Sequence, residues 1–420
     1  MIASLIATFW GQMQSWFTQA KAVTESTDDL MPLPNSLEIQ VSQHIQSLPS
    51  PQAYQAFIHE SLSNALSPWQ TDLDAPNSLV ILGSPVESIA KIIRDGLQTW
   101  VDRPPLEIIT PLSCRSRPQI PWIVTSQIRQ ALQPYPQINV SEDLPMDDSL
   151  DLGSLEERTT LIVIPCLEQC FLRCIGGWES IEFLRDRVIH NPNCFWLIGC
   201  NHWAWDYLDF VCQVRAYFND GLYVPPLGGE MLQAWLDPVM KTVVAPTIDF
   251  GDRQHFILQN STRHHQQSLT DEERHQTYWN VLAHQSLGIS SMATSLWLKS
   301  LRIKNDAIPG GTVPKLELSA QESTEQPFTI HEAFPAPPSL PTLTGGDRYL
   351  LNSVLIHGHI TRSHLALSLG EPESKIRAQV QSLLRAGVLD QGQGVLSVQP
   401  AYYGKIKSEL ANNNFFVSKN

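Results

Sequence analysis

Residues 79–97 read LVILGSPVESIAKIIRDGL. The apolar run from Ser78 to Leu82 stops at Gly83, and a helix is predicted from about Val86 to Trp100. A short continuous apolar run bounded by a turn residue suits a strand buried on both faces. Upstream, residues 36–66 read as helical in two segments broken at Pro49 and Pro51. Downstream, Leu106–Thr110, Thr160–Ile164 and Cys194–Cys200 repeat the strand pattern, with Gln137–Val140 and Gly221–Val224 as weaker candidates. Helices are expected at Gln127–Leu132 and Glu179–Ile189, and an exposed acidic loop at Ser141–Glu157. Strands alternating with helices imply a parallel sheet covered on both faces.

The chain of 420 residues is 42% hydrophobic and carries a net charge of −14, which argues against a protein that coats nucleic acid by bulk attraction. The charge is uneven: residues 347–420 hold 8 Lys/Arg against 5 Asp/Glu, so any nucleic-acid contact belongs there. The 7 cysteines and the lack of a secretory cleavage motif read as reduced thiols of a cytosolic protein. No run of 18 uncharged apolar residues occurs, so no transmembrane helix is predicted.

With its strand-to-helix turn at Gly83, the segment 79–97 resembles the phosphate loop of the AAA+/STAND class of P-loop ATPases. That class wraps phosphates in backbone N–H groups and adds a lysine. Aligned on Gly83 and Pro85, the loop reads GSPVESIA. Val86 and Ser88 stand at glycine positions, Ile89 at the lysine position and Ala90 at that of the Mg²⁺-binding Ser/Thr, while Glu87 adds charge that opposes an anion. Lys91 comes two residues late, rotated about 200° around a helix. The acidic pair that should follow LIVI (161–164) is replaced by Pro165 and Cys166, with Glu168 displaced. Asn201 ends the strand FWLIGCN, where the class has a polar phosphate sensor. VPPLGGEMLQAWL (224–236) and SLGISSMATSLWLKSLR (286–302) resemble the passage into the class's helical lid, with Ser291 and Met292 where an arginine often stands. The resemblance implies the fold and not the ATPase activity. Gly83, Ser84, Ser88, Lys91 and Asn201 would form a vestigial nucleotide site, with no cofactor expected and ATP as the alternative.

Residues 304–346 contain seven prolines and read as an extended linker. From Asp347 the pattern changes. HGHITRSHLALSLGEPESKIRAQVQSLLRAGVL (357–389) resembles a winged helix-turn-helix. Thr361 is placed to cap its second helix and Gly387 to end its third, and a hairpin is expected at 389–398 before a last helix at 401–411. Leu365, Leu367, Leu369, Ile376, Val380, Leu383, Leu384 and Val388 would form its core. Lys375, Arg377 and Arg385 are the candidate DNA contacts, with Gln379, Gln381, Arg362, Lys405 and Lys407 near them, but Glu371 and Glu373 stand at the start of the would-be recognition helix. Winged helices also dock proteins, which is the preferred reading here.

Other features have the composition of sites. Residues 1–20 place Ile2, Leu5, Ile6, Phe9, Met13, Trp16 and Phe17 on one helical face with no charge before Lys21. Such a helix docks on its own domain or a partner, or inserts into a membrane surface. Cys166, Cys170 and Cys174 would share a drifting helical face and read as buried thiols, not metal ligands. His255, His264, His265, His275 and His284 read as polar-loop residues, and Trp203, Tyr207 and Phe210 as core. The expected organisation is an N-terminal helix (1–22), an α/β domain (36–250), a helical lid (251–303), a linker (304–346) and a winged-helix-like domain (347–420). The expected function is a non-catalytic scaffold or regulator acting through protein contacts, in the cytoplasm, with peripheral attachment to a membrane surface through residues 1–20 as the alternative to internal docking of that helix. The alternatives are an ATPase with unusual motifs or a DNA-binding regulator.

Overall fold

The computed structural model describes residues 30–33, 35–112, 117, 123–133, 158–218, 220–239, 271–304 and 330–415. The expected helix at 1–22, strand at 137–140, acidic loop at 141–157 and His255, His264 and His265 lie outside these. In chain order the elements are β1 (Leu30–Pro32), α1 (Asn35–Ser47), α2 (Gln52–Thr71), β2 (Ser78–Gly83), α3 (Ile89–Thr99), β3 (Glu107–Ile109), α4 (Ile123–Leu132) and β4 (Thr160–Ile164). Then come α5 (Glu179–His190), β5 (Cys194–Asn201), α6 (His202–Cys212), α7 (Arg215–Phe218), β6 (Leu222–Tyr223), α8 (Gly229–Val239), α9 (Asp271–Gln285), α10 (Ser290–Ser300), β7 (Leu301–Lys304) and β8 (Ile330–Glu332). The chain ends with α11 (Gly345–His357), β9 (His359–Thr361), α12 (Arg362–Leu369), α13 (Glu373–Arg385), β10 (Leu389–Gly392), β11 (Val395–Val398) and α14 (Tyr403–Asn412).

Two compact units form, residues 49–226 with 337–420, and residues 1–48 with 227–336. In the first, five parallel strands lie in the order β3-β4-β5-β2-β6. Every residue of β2, β4 and β5 is buried, as a central parallel strand requires. The connection from β2 to β3 crosses the sheet in one direction, and those from β3 to β4, β4 to β5 and β5 to β6 cross in the other. Right-handed crossovers therefore put α2 and α3 on one face and α4, α5 and α7 on the opposite one, as the packing of α2 on α3, α4 on α5 and α5 on α7 reflects. The direction reverses between β2 and β5, so the crevice beyond their carboxyl ends, where Gly83 pairs with Asn201, is the topological switch point.

The same unit holds the C-terminal segment. Thr344 and Asp347 make a capping box that starts α11. Thr361 caps α12 by accepting from His364 N at 3.2 Å. Gly387, with φ of 69°, accommodates the left-handed turn after α13. Gln393 and Gly394 have φ of 52° and 82°, the signature of a two-residue type I′ hairpin joining β10 to β11. The hairpin and β9 form a sheet in the order β10-β11-β9. Leu365, Ile376, Val380, Leu383 and Val388 are buried as expected, but Leu367 is 56% exposed. The buried side of α12 runs through His364, Leu365 and Ser368, which turns Leu367 outward.

In the other unit, β1 pairs with β7 and β7 with β8, both antiparallel, beside α1, α8, α9 and α10. The stretch 304–346 is therefore more than a connector, since Ile330 pairs with Ile303. Gly288, with φ of 68°, makes the expected break between α9 and α10.

Candidate functional site

The loop after β2 is closed on itself. Pro85 has no N–H to offer, and Glu87 N donates to Ser84 O at 2.9 Å, a turn that consumes a donor a phosphate would need. Gly83 and Ser84 are buried, while Ser88 is exposed at the N-cap of α3. Ile89, at the position of the phosphate-binding lysine, is 2% exposed. It packs so tightly over Gly83 that a β-carbon there would collide with Ile89 Cδ1, and one at Gly199 would lie 2.9 Å from Ile89 Cγ2. An apolar side chain thus plugs the gap between β2 and β5. Lys91 is half-buried, and burial lowers its pKa against the pull of Asp95. Asp95 lies on the α3 surface that receives Ser50, accepting from Ser50 N at 2.8 Å and Ser50 Oγ at 2.6 Å.

At the end of β5, Asn201 is 2% exposed and fully engaged. Its Oδ1 caps α6 by accepting from Ala204 N at 2.8 Å, its N–H donates to Glu168 Oε2 at 3.2 Å, and its Nδ2 donates to Ile356 O at 3.1 Å. Gln169 Nε2 donates to His357 O at 2.8 Å. Arg117 donates from Nε to Phe171 O at 2.7 Å, from Nη2 to Glu168 O at 2.5 Å and from Nη1 to His359 O at 3.5 Å. The C-terminal end of α11 therefore points its carbonyls at the switch point, and side-chain donors there receive them. Unsatisfied carbonyls at a helix end carry partial negative charge, so they are chemical stand-ins for an anion.

Buried ionisable groups surround this contact. Burial pushes the Glu168 carboxyl up to about 7, opposed by its own backbone amide, that of Asn201 and the Arg117 guanidinium. Burial lowers Arg117 to about 10, with Glu168 opposing. His357 is fully buried and held well below the usual histidine range by burial and by Arg117. Its Nε2 accepts from Arg173 N at 3.1 Å, so Nδ1 carries the proton and donates to Ser353 O at 2.7 Å. Tyr403 forms a second contact. Trp203 Nε1 donates to the Tyr403 oxygen at 3.0 Å, which leaves the Tyr403 hydroxyl to donate to His202 Nε2 at 3.2 Å. Burial raises Tyr403 to about 12, with Trp203 and Ser84 opposing. Burial brings His202 down to about 3, so it is the neutral acceptor this chain of bonds needs.

Of the five candidate nucleotide residues, Gly83, Ser84 and Asn201 gather at this crevice. Ser88 faces solvent, and Lys91 faces Asp95. The candidate DNA residues lie on α13, with Arg377 and Arg385 exposed and Lys375 paired with Glu371 at 2.6 Å. Phe210, expected in the core, is 84% exposed, because α6 buries Trp203, Ala204, Trp205 and Leu208 instead. Cys166, Cys170 and Cys174 do not share a helical face: a single 3-10 turn at Leu167–Gln169 is followed by loop. Sequence reading missed Arg117, Gln169, His357 and Tyr403, none of which stands in a motif.

The five-stranded order places the phosphate-loop-like turn after its fourth-positioned strand, beside the strand that Asn201 ends, and the solved structures similar to this chain are AAA+ P-loop ATPases. No protein-family model matches the sequence, and no curated protein does. Among solved structures, a RuvB mutant of Thermotoga maritima is 14% identical over 84% of this chain and 94% of its own, at a TM-score of 0.29. Cdc6p of Pyrobaculum aerophilum is 11% identical over 90% and 99%, at 0.28, and Drosophila ORC bound to DNA is 10% identical over 94% and 99%, at 0.31. These similarities concern the course of the chain and carry nothing about activity.

Proposed function

We propose that this chain is a non-hydrolysing relative of the P-loop ATPases that serves as a scaffold or regulatory protein through protein contacts. The observation that carries the reading is the filled crevice: Ile89 occupies the lysine position over Gly83, Asn201 and Gln169 hold the last α11 carbonyls, and Arg117 reaches His359 O at the start of β9. A nucleotide would have to displace both. Protein contact is supported by three almost fully exposed apolar side chains, Ile175 at 99%, Val101 at 91% and Phe210 at 84%. Calorimetry of full-length protein with ATP or ADP and Mg²⁺ tests the reading. No heat of binding is expected at millimolar nucleotide, whereas micromolar binding accompanied by turnover would reject it.

A second reading, DNA binding by a winged helix at 347–420, rests on the exposure of Arg377 and Arg385 along α13. It requires salt-dependent binding that weakens on Arg377→Ala and Arg385→Ala. The Lys375–Glu371 pair removes one cation from that face, which favours the protein reading.

A further inference from the structure

On the face covered by α2 and α3, an open cleft of about 580 Å³ lies between α3 and the strands β3 and β4. No described helix covers the sheet at this place, and the volume falls in the range of small-molecule sites. The floor is apolar, with Ile93 1% and Val163 3% exposed, and Leu97 and Ile108 continue it. The rim is cationic, formed by Arg94 and Arg103 with the indole of Trp100.

Each rim group is available. Arg103 has no ion-pair or hydrogen-bond partner among the described residues. Arg94 reaches Asp95 only through Nε, at 3.4 Å, and that carboxylate already takes two hydrogen bonds from Ser50. The terminal nitrogens of the guanidinium have no partner among the described residues, and Arg94 lines the cleft. Trp100 stacks on His59 at 6.1 Å, and His59 is fixed by Gly96 O at 2.8 Å, so this wall is set before any ligand arrives.

An apolar trough edged by two guanidiniums selects a ligand that is apolar along its body and anionic at its head. We propose that this cleft binds a small soluble amphipathic anion, an alkyl or aryl group ending in a carboxylate or sulfonate. The cleft adjoins the switch point, since Ala90 follows Ile89 and a β-carbon at Gly199 would collide with Pro165 O, but its two rim arginines take no part in the contacts of Asn201, Gln169 and Arg117, so decanoate binding is read independently of nucleotide binding.

The test uses full-length protein, decanoate in calorimetry and anilinonaphthalene sulfonate in fluorescence. Saturable binding at one site per chain is expected, with the two probes competing. Replacing both arginines by alanine should weaken decanoate about tenfold or more, and decanol should bind the unaltered protein about as weakly. Ala90→Trp, which fills the cleft from a half-exposed position, should abolish binding while the circular dichroism spectrum and the urea midpoint stay close to those of the parent. Absence of saturable binding overturns the proposal, as does binding indifferent to both sets of variants. Decanol binding as tightly as decanoate overturns the anionic class, and binding only to phosphatidylglycerol vesicles overturns the soluble ligand.

Discussion

Asn201→Asp separates two roles that the native side chain combines. The carboxylate keeps an acceptor for Ala204 N, which Asn201 Oδ1 meets at 2.8 Å, so the N-cap of α6 survives. Asp is as good a cap as Asn, and its charge at a helix N-terminus adds about 0.3–1 kcal/mol. If capping were the whole function of Asn201, the variant would be neutral or slightly more stable. The same change deletes the donor that holds Ile356 O at 3.1 Å and brings a second carboxyl beside Glu168. An unpaired buried carbonyl costs about 1–3 kcal/mol, and the lost bond to it about 1. The balance is a net destabilisation of about 1–4 kcal/mol. Urea unfolding followed by circular dichroism gives the total. Hydrogen exchange at the last turn of α11 shows whether the loss is local to the docked helix end. A variant at least as stable as the parent, with unchanged exchange in α11, would refute the idea that Asn201 holds that helix in place.

Three further outcomes follow from neighbouring residues. Ile89→Ala should cost about 2–4 kcal/mol in urea unfolding, because a buried side chain is lost over Gly83 and Gly199 where the sheet cannot collapse, and it should not create ATP binding. Glu168 has a carboxyl raised from 4.5 to about 7, so the folded state binds its proton more tightly than the unfolded chain. Stability should then fall as pH rises from about 4.5 to about 7, by an amount on the order of 3 kcal/mol, and Glu168→Gln should flatten that slope in pH-dependent unfolding. Gly358 has φ of 66°, and a β-carbon there would find 3.6 Å of room to Asn201 Nδ2. With ψ of −60°, Gly358 is in the strained γ-turn region, so Gly358→Ala should cost the backbone strain, about 1–3 kcal/mol, in the same assay.

Features decided by neighbouring residues were legible in the sequence. The runs at 79–82, 161–164 and 195–201 became the buried strands, and Thr361, Gly387 and Gly288 ended or began helices, because caps and turns act within a few residues. That Ile89 stands where the resemblance expects a lysine was also readable, since it is one position of one motif. What fills the crevice was not. The bond from Asn201 to Ile356 spans 155 residues, that from Gln169 to His357 spans 188 and that from Trp203 to Tyr403 spans 200. No spacing rule links such pairs. Leu367 and Phe210 failed for another reason. Helical periodicity shows that a stripe exists, but on the short helices α12 and α6 it does not decide which side meets the core. The pairing of Leu30 with Lys304 is non-local in the same way and moved α1 out of the expected α/β domain.

The switch point of this open parallel sheet gathers three donors: an amide on Asn201, an amide on Gln169 and a guanidinium on Arg117. Donors buried without acceptors would be costly, so these need an acceptor. The end of α11 supplies one, with carbonyls that are unpaired within the helix and aligned with its negative pole. Phosphate and helix end would then compete for the same groups, and the competition has a sign. An anion able to reach Asn201, Gln169 and Arg117 binds only chains whose C-terminal segment has left, so it draws the population away from the closed form. Tripolyphosphate or ATP at millimolar concentration should leave the thermal midpoint unchanged or lower it. In an intact nucleotide site the same addition raises the midpoint by mass action. A midpoint that climbs with ATP and stops climbing in Asn201→Asp would mean that the crevice accepts phosphate with the helix end in place, and the reading of α11 as the resident ligand would be wrong.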